Sequence, residues 1–281
     1  MARSTDHTDR IFLRPSYTVH YRKVRAFRWS GEARPVYTAV FLLKGALSYE
    51  AKSRTGKLKG RGALLIEPGE AATARGEQAE VMILTLDPTL VLDGAIRARL
   101  ARAEAHISFR PHTIERDERL ERLARDLADE LVYEEAGQEA VVGALIEQVV
   151  IHLLRRYANL RRADELELSR AGLIDRRIRR AVELMQAHLD RDLSLEAIAA
   201  AAHLSPFHFA RLFKKATGLS PHAYLAALRI ARAQTLLAET DLSITEVSAR
   251  VGYESPSHFA KAFRQSAGLP PRAFRAALIP R

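Results

Sequence analysis

The stretch Ser205-Pro206-Phe207-His208-Phe209-Ala210-Arg211-Leu212-Phe213 returns 50 positions later as Ser255-Pro256-Ser257-His258-Phe259-Ala260-Lys261-Ala262-Phe263. The match continues through Gly218/Gly268, Leu219/Leu269, Pro221/Pro271, Ala223/Ala273 and Leu228/Leu278, too long a run for coincidence. Each copy spells out one helix. Ser205 and Ser255 stand at the N-cap, and Pro206 and Pro256 take the first helical position, where a missing N–H costs nothing. Phe209, Leu212, Phe213 and Ala216 recur at helical spacing, as do Phe259, Ala262, Phe263 and Ser266. Gly218 and Gly268 then close the helices in a left-handed backbone, and Pro221 and Pro271 start new ones.

A shorter helix precedes each copy, over 195–202 and 244–251, and Ser243 with Glu246 forms a capping box at the start of the second. Gly252 supplies the sharp turn between helices. In the first copy His203 takes that place, and His is among the few residues besides glycine that tolerate positive φ. Helix, tight turn and capped helix, repeated, make two helix-turn-helix units, at about 194–217 and 243–267. With Phe209 and Phe213 facing inward, the outward face of the first unit's second helix carries Phe207, Ala210, Arg211 and Lys214. The second copy presents Ser257, His258, Lys261 and Arg264. Neither face has a carboxylate. Such a surface suits the major groove, where Arg and Lys read guanine edges and an aromatic or Ala methyl packs on thymine methyls. The competing reading is a solvated basic face on an ordinary helical bundle, and the recurrence of the face in one frame argues for DNA. Between the units, 221–239 reads as one helix with Tyr224, Leu225, Leu228, Ala231, Leu236 and Leu237 on its apolar side. At ~1.5 Å per residue it spans roughly 28 Å. That approaches the ~34 Å between recognition helices entering successive major grooves.

Residues 175–278 resemble the DNA-binding domain of the AraC/XylS family of bacterial transcription regulators. The resemblance rests on Leu193-Ser194-Leu195-Glu196-x-Ile198-Ala199, the 205–213 segment, Gly218-x-Ser220-Pro221 and Ile244-x-Glu246-Val247-Ser248. Its most diagnostic part is Val251-Gly252-Tyr253-Glu254-Ser255-x-Ser257-x-Phe259-x-Lys261-x-Phe263-Arg264, followed by Gly268-x-Pro270-Pro271 and Phe274-Arg275. His203 for the usual turn glycine, and Pro256 at a commonly polar position, depart from the pattern. The resemblance implies double-stranded DNA and RNA polymerase as partners and a role as activator; the absence of cysteine fits a reducing cytoplasm, and the lack of a nucleophile–base motif or metal ligands argues against an enzyme.

The rest of the chain fits a two-domain regulator. Its 281 residues suffice for two separate cores. Of the net charge of +10, the part from Asp175 onward holds 16 Lys+Arg against 9 Asp+Glu, or +7, leaving 28 against 25, or +3, for the remainder. The excess sits on the repeat, as phosphate binding requires. There is no cysteine, hence no disulfide framework or thiolate zinc site. The first ten residues lack the apolar core of a signal peptide, and no uncharged run approaches the ~20 residues of a membrane span.

From about 11 to 86 the pattern becomes β-rich. Segments 17–24, 36–44, 46–52, 63–67 and 80–86 read as strands, with Gly31, Gly45, Gly56 and Pro68-Gly69 at turns. Many short strands without helices between them suggest an antiparallel barrel or jelly roll. Gly62-Ala63-Leu64-Leu65-Ile66-Glu67-Pro68-Gly69-Glu70 resembles the strand and turn of cupin domains, which family members often carry as effector sensors. Metal cupins need clustered His with a carboxylate on facing strands. Within 11–86 His20 is alone, so no metal, cofactor or catalytic residue is expected. A small organic effector in the apolar mouth of the barrel is the favoured ligand, with Arg22, Arg25, Arg28, Trp29 and Tyr37 able to line it. The alternative is control by a protein partner or by abundance. Helices over 115–135 and 139–157 carry apolar stripes, and in the family helices at this place often form a homodimer. The expected fold class is thus two-domain α+β, with a cupin-like domain over 1–158, a linker over 159–174 and an all-α DNA-binding domain over 175–281.

Overall fold

The computed structural model describes residues 7–51, 54–101, 106–161 and 165–279. The chain opens with β1 (Thr8–Arg14), antiparallel to the first half of β2 (Tyr17–Gly31). Then come β3 (Tyr37–Lys44), β4 (Ala46–Ala51), β5 (Arg54–Lys59), β6 (Gly62–Ile66) and β7 (Ala72–Leu86). The two 15-residue strands β2 and β7 pair along their length, from Tyr17↔Leu86 to Gly31↔Ala72. The far edge of β7 is divided: its second half pairs with β3 and its first half with β4, which pairs in turn with β5. The all-antiparallel sheet is of jelly-roll kind but does not close on itself among the described residues. Lys52, expected to end the strand over 46–52, lies outside them.

Both faces of this sheet are covered, so several strands read as apolar runs instead of alternating. Ala39, Phe41, Leu65, Met82 and Leu84 face the helices, while Val40, Leu42, Leu64, Val81 and Ile83 fill the opposite side with Phe27 and Trp29. Gly56, expected at a turn, lies inside β5 opposite Tyr49, whose ring lies over it. The interval read as a turn is a β4–β5 hairpin.

Next come α1 (Pro88–Arg97), β8 (His106–Phe109), β9 (Thr113–Ile114), α2 (Glu118–Tyr133) and α3 (Gln138–Tyr157). The leucines of α2 and the wider stripe of α3 bury against the sheet and each other. Helix α1 was not anticipated, although Asp87 caps Thr89 N–H and Pro88 occupies the first turn. The stretch expected as a linker is partly ordered: β10 (Ala158–Arg161) pairs with β8, and α4 (Glu165–Ala187) begins ten positions before Asp175. Residues 162–164 lie outside the described residues.

The helical part continues through α5 (Leu195–Ala201), α6 (Pro206–Thr217), α7 (Pro221–Glu239), α8 (Ile244–Arg250), α9 (Pro256–Ala267) and α10 (Pro271–Ala277). It has two cores. Ile178, Met185, Ile198, Phe209, Phe213 and Leu225 make the first; Ile230, Leu236, Val247, Phe259, Phe263 and Phe274 make the second. Helix α7 serves both, which corrects its expected apolar side: Ala231 is exposed, and Ile230 and Ala233 are buried. A helix shared by two cores need not keep one stripe.

Among the described residues the β-domain meets the helical part at several places. Ile11 of β1 lies in the second helical core, and Ile279 N–H donates to its carbonyl at 2.9 Å. The turn at Gly69 lies against Gly218, and Trp29 lies against Gly268.

Candidate nucleic-acid interface

Each recognition helix is held by the same device. Phe209 and Phe213 lie tilted against each other at 5.3 Å, and Tyr224 closes edge-on at 5.2 Å; Phe259, Phe263 and Phe274 repeat this at 5.5 and 5.2 Å. These four helix phenylalanines are fully buried. Gly218 and Gly268 end the two helices at φ 78°, a conformation glycine adopts without a Cβ penalty. Ser255 accepts from His258 N–H at the start of α9, and Ser243 with Glu246 completes its capping box. Ser205 occupies the N-cap of α6 but makes no side-chain cap bond. The turns match at a 49-residue interval: Leu204 N–H bonds to Ala199 O and Tyr253 N–H to Ser248 O, with His203 at φ 54° and Gly252 at φ 76°. One extra residue, Glu254, then brings the recognition helices to the 50-residue interval.

With the phenylalanines inward, joined by Ser266 and flanked by half-buried Leu212 and Ala262, the opposite face of each helix is open to water. Phe207 is 81% exposed, a costly place for an aromatic with no partner. Arg211, Lys214, Ser257, His258, Lys261 and Arg264 are exposed, and Ala210 is half-buried on the flank. His208, Lys215 and Gln265 are exposed as well and were missed. The 50-residue register held the signal, since His208 answers His258 and Lys215 answers Gln265. Neither helix has an acidic side chain, so nothing on these faces repels phosphate.

Residues 198–277 match the helix-turn-helix domain family. The C-terminal module is an AraC-type helix-turn-helix domain. Over 79 residues the chain is 37% identical to the regulatory protein PocR of Salmonella typhimurium, covering 28% of this chain and 26% of that protein. Over 118 residues it is 31% identical to the HTH-type transcriptional regulator MtrA of Neisseria gonorrhoeae, covering 42% of this chain and 39% of that protein. The chain thus spans about a quarter to two-fifths of the length of these curated relatives. Over nearly its whole length its fold is similar to that of ToxT from Vibrio cholerae O395, at a TM-score of 0.61 and 11% identity, covering 94% of this chain and 98% of that one. The helix-turn-helix module thus sits behind a sheet domain in a two-domain arrangement similar to that of ToxT.

The residues expected to line an effector pocket do not converge. Arg22 Nε donates to Asp9 Oδ1 at 2.6 Å, and Tyr37 Oη donates to the Ile107 carbonyl at 2.7 Å on the helix-covered face. Arg25 and Arg28 are exposed. Trp29 alone of the five reaches a cavity between the domains, together with His20, Arg34, Gln234, Ser266 and Phe274. His20 is not isolated, because Asp9 of β1 bonds both it, at 3.1 Å, and His7, at 2.9 Å. Arg22 shares Oδ1 with His20 while His7 takes Oδ2, which makes it an ion-paired cluster and a poor cation site. Burial would raise the Asp9 carboxyl, but the hydrogen bond from His20 and the charge of Arg22 hold it at about 2. Among the described residues no helix is long and apolar enough to cross a membrane.

Proposed function

We propose that this chain is a sequence-specific DNA-binding transcription regulator that sets α6 and α9 into successive major grooves of one asymmetric site. The observation that carries the reading is the pair of exposed, carboxylate-free faces repeated on two matching helices. Arg211, Lys214, Lys261 and Arg264 are the base and phosphate contacts, and Phe207 packs on thymine methyls. Helix α7 has 19 residues, about 28 Å at ~1.5 Å each. Its length supports the one-turn separation.

The chain is further proposed to be an activator working with RNA polymerase in the cytoplasm, controlled by a small organic effector bound in the cupin-like N-terminal domain. The route for control is supported by the contacts from Gly69 and Trp29 to the glycines ending both recognition helices. The sheet interior, however, is filled by its own side chains. That favours the second reading, in which a protein partner or abundance does the controlling. A homodimer formed through α2 and α3 is supported by Val132, Val141 and Tyr133, which stand exposed near the tip of that hairpin.

Footprinting the full chain on duplexes selected from a random pool tests the DNA reading. Two protected segments about one helical turn apart are expected. One segment, or protection independent of sequence, overturns it. Repeating the footprint with candidate organic acids, sugars and aromatics decides between the modes of control.

A further inference from the structure

Arg229 stands where three pieces of the helical module meet. It sits on α7, and its Nε donates to the Leu189 carbonyl at 3.0 Å while Nη2 donates to the Arg191 carbonyl at 2.7 Å. Both carbonyls lie just past the end of α4, a helix that packs in the first helical core. The same guanidinium lies 5.9 Å from the centroid of the Tyr253 ring, in the turn of the second unit. Tyr253 meets His258 edge-on at 5.6 Å, and His258 is on the exposed face of α9. A continuous set of contacts therefore runs from the end of α4, through one side chain of the shared helix, to a base-facing residue of the second recognition helix.

Gly252 makes this approach possible. A Cβ there would stand 2.4 Å from the Leu189 carbonyl oxygen and 2.9 Å from Arg229 Nη2. The glycine of the second turn is needed for this crowding as well as for its φ of 76°.

Arg275 supplies the comparison within the same molecule. On α10 its Nε donates to the Leu237 carbonyl at 3.4 Å and its Nη2 to the Leu242 carbonyl at 2.6 Å, just past the end of α7. It does for the second unit the capping that Arg229 does for the first. Among the described residues its guanidinium lies over no aromatic ring.

We propose that Arg229 is a positioning residue that fixes the angle between α6 and α9, and so sets the base-pair spacing between half-sites that the protein accepts. This rests on the two-groove reading above. A guanidinium has the planar fork that holds two carbonyls and a ring face at once, whereas a lysine ammonium is a point charge on a flexible stem. Spacing is a geometric demand: one inserted base pair turns the second half-site by roughly 35° and moves it by about 3.4 Å.

The experiment takes the duplex selected by the wild-type full chain, and versions with one base pair added or removed between the half-sites. Affinities are compared for wild type, Arg229→Lys, Arg229→Ala and Arg275→Ala, with melting temperatures recorded for each. The wild type is expected to lose at least about 10-fold on either respaced duplex, the scale of one unfavourable base step. Both Arg229 variants are expected to lose less than about 3-fold on respacing, with native-site affinity down by about 10-fold. Arg275→Ala should keep the wild-type ratio whatever it does to melting. An unchanged ratio in the Arg229 variants, or an equal collapse in Arg275→Ala, overturns the positioning role alone. A wild-type chain that selects no two-part site overturns both this inference and the reading beneath it. Arg229→Lys keeps the test open if the alanine variant does not fold.

Discussion

Gly69, in the turn after β6, and Gly218, the C-cap of the first recognition helix, touch backbone to backbone: a Cβ built on Gly69 would stand 2.9 Å from the Gly218 Cα. Gly268, at the matching place in the second unit, meets only Trp29 Cδ1, at 3.5 Å from a Cβ. The two positions share φ 78° but differ in room. Gly268→Ala should cost about 1 kcal/mol for its backbone conformation. Gly218→Ala should add roughly 1–3 kcal/mol of crowding and loosen the β-domain from the first unit. Paired urea unfolding curves check the difference; equal losses would mean that the two domains do not bear on each other at Gly69.

Arg211→Ala and Lys261→Ala should each cost about 1–3 kcal/mol of DNA affinity, concentrated at one base position. Lys215→Ala should instead weaken binding evenly across sequences and lower the salt slope by about 1. Titrations on single-position variants of the selected site distinguish the two behaviours. If Arg211→Ala weakened every sequence alike, that residue would be a phosphate clamp.

Phe209→Ala and Phe263→Ala remove fully buried rings and should each destabilise the helical module by roughly 3–5 kcal/mol. Phe207→Ala removes an exposed ring and should leave melting nearly unchanged while lowering DNA affinity. Calorimetry beside a binding assay separates the two classes.

The Asp9–His20–Arg22 cluster predicts loss of stability in acid. Burial lowers the His20 pKa most, against the opposing hydrogen bond to Asp9, so the imidazole is neutral in the folded chain. Its contribution is complete above 6.5, the ordinary value, and falls as pH drops through it. Asp9 acts lower down: its contribution holds above 3.8 and is lost as pH falls from there towards about 2. Urea midpoints should decline between pH 7.5 and 5, and His20→Gln should flatten that decline. Asp9→Ala strands Arg22 and should cost about 3–5 kcal/mol near neutrality. An unaltered slope in His20→Gln would place the acid sensitivity elsewhere.

The repeat, its caps, the outward basic faces and the shared helix were legible in the chain because each rests on contacts within one or two turns. Pro206, Gly218 and the Phe209/Phe213 spacing fix a helix and its buried side without help from distant residues. The strands were read less well. Gly56 makes β5 read as a turn, although Tyr49 across the hairpin supplies the cover that the glycine lacks. The far halves of β2 and β7 were missed because Arg25, Arg28, Arg75 and Glu77 look like loop until the two strands are paired.

Sequence by itself determined that this protein has two capped helical units with matching basic faces, since helical periodicity and end-capping are local. Only the tertiary structure decided that Arg229 bridges those units, that Ile11 completes the second core and that Gly69 rests on Gly218. Those pairings join residues 24 or more positions apart. Their energies depend on how backbones and side chains meet in space, which no local pattern records.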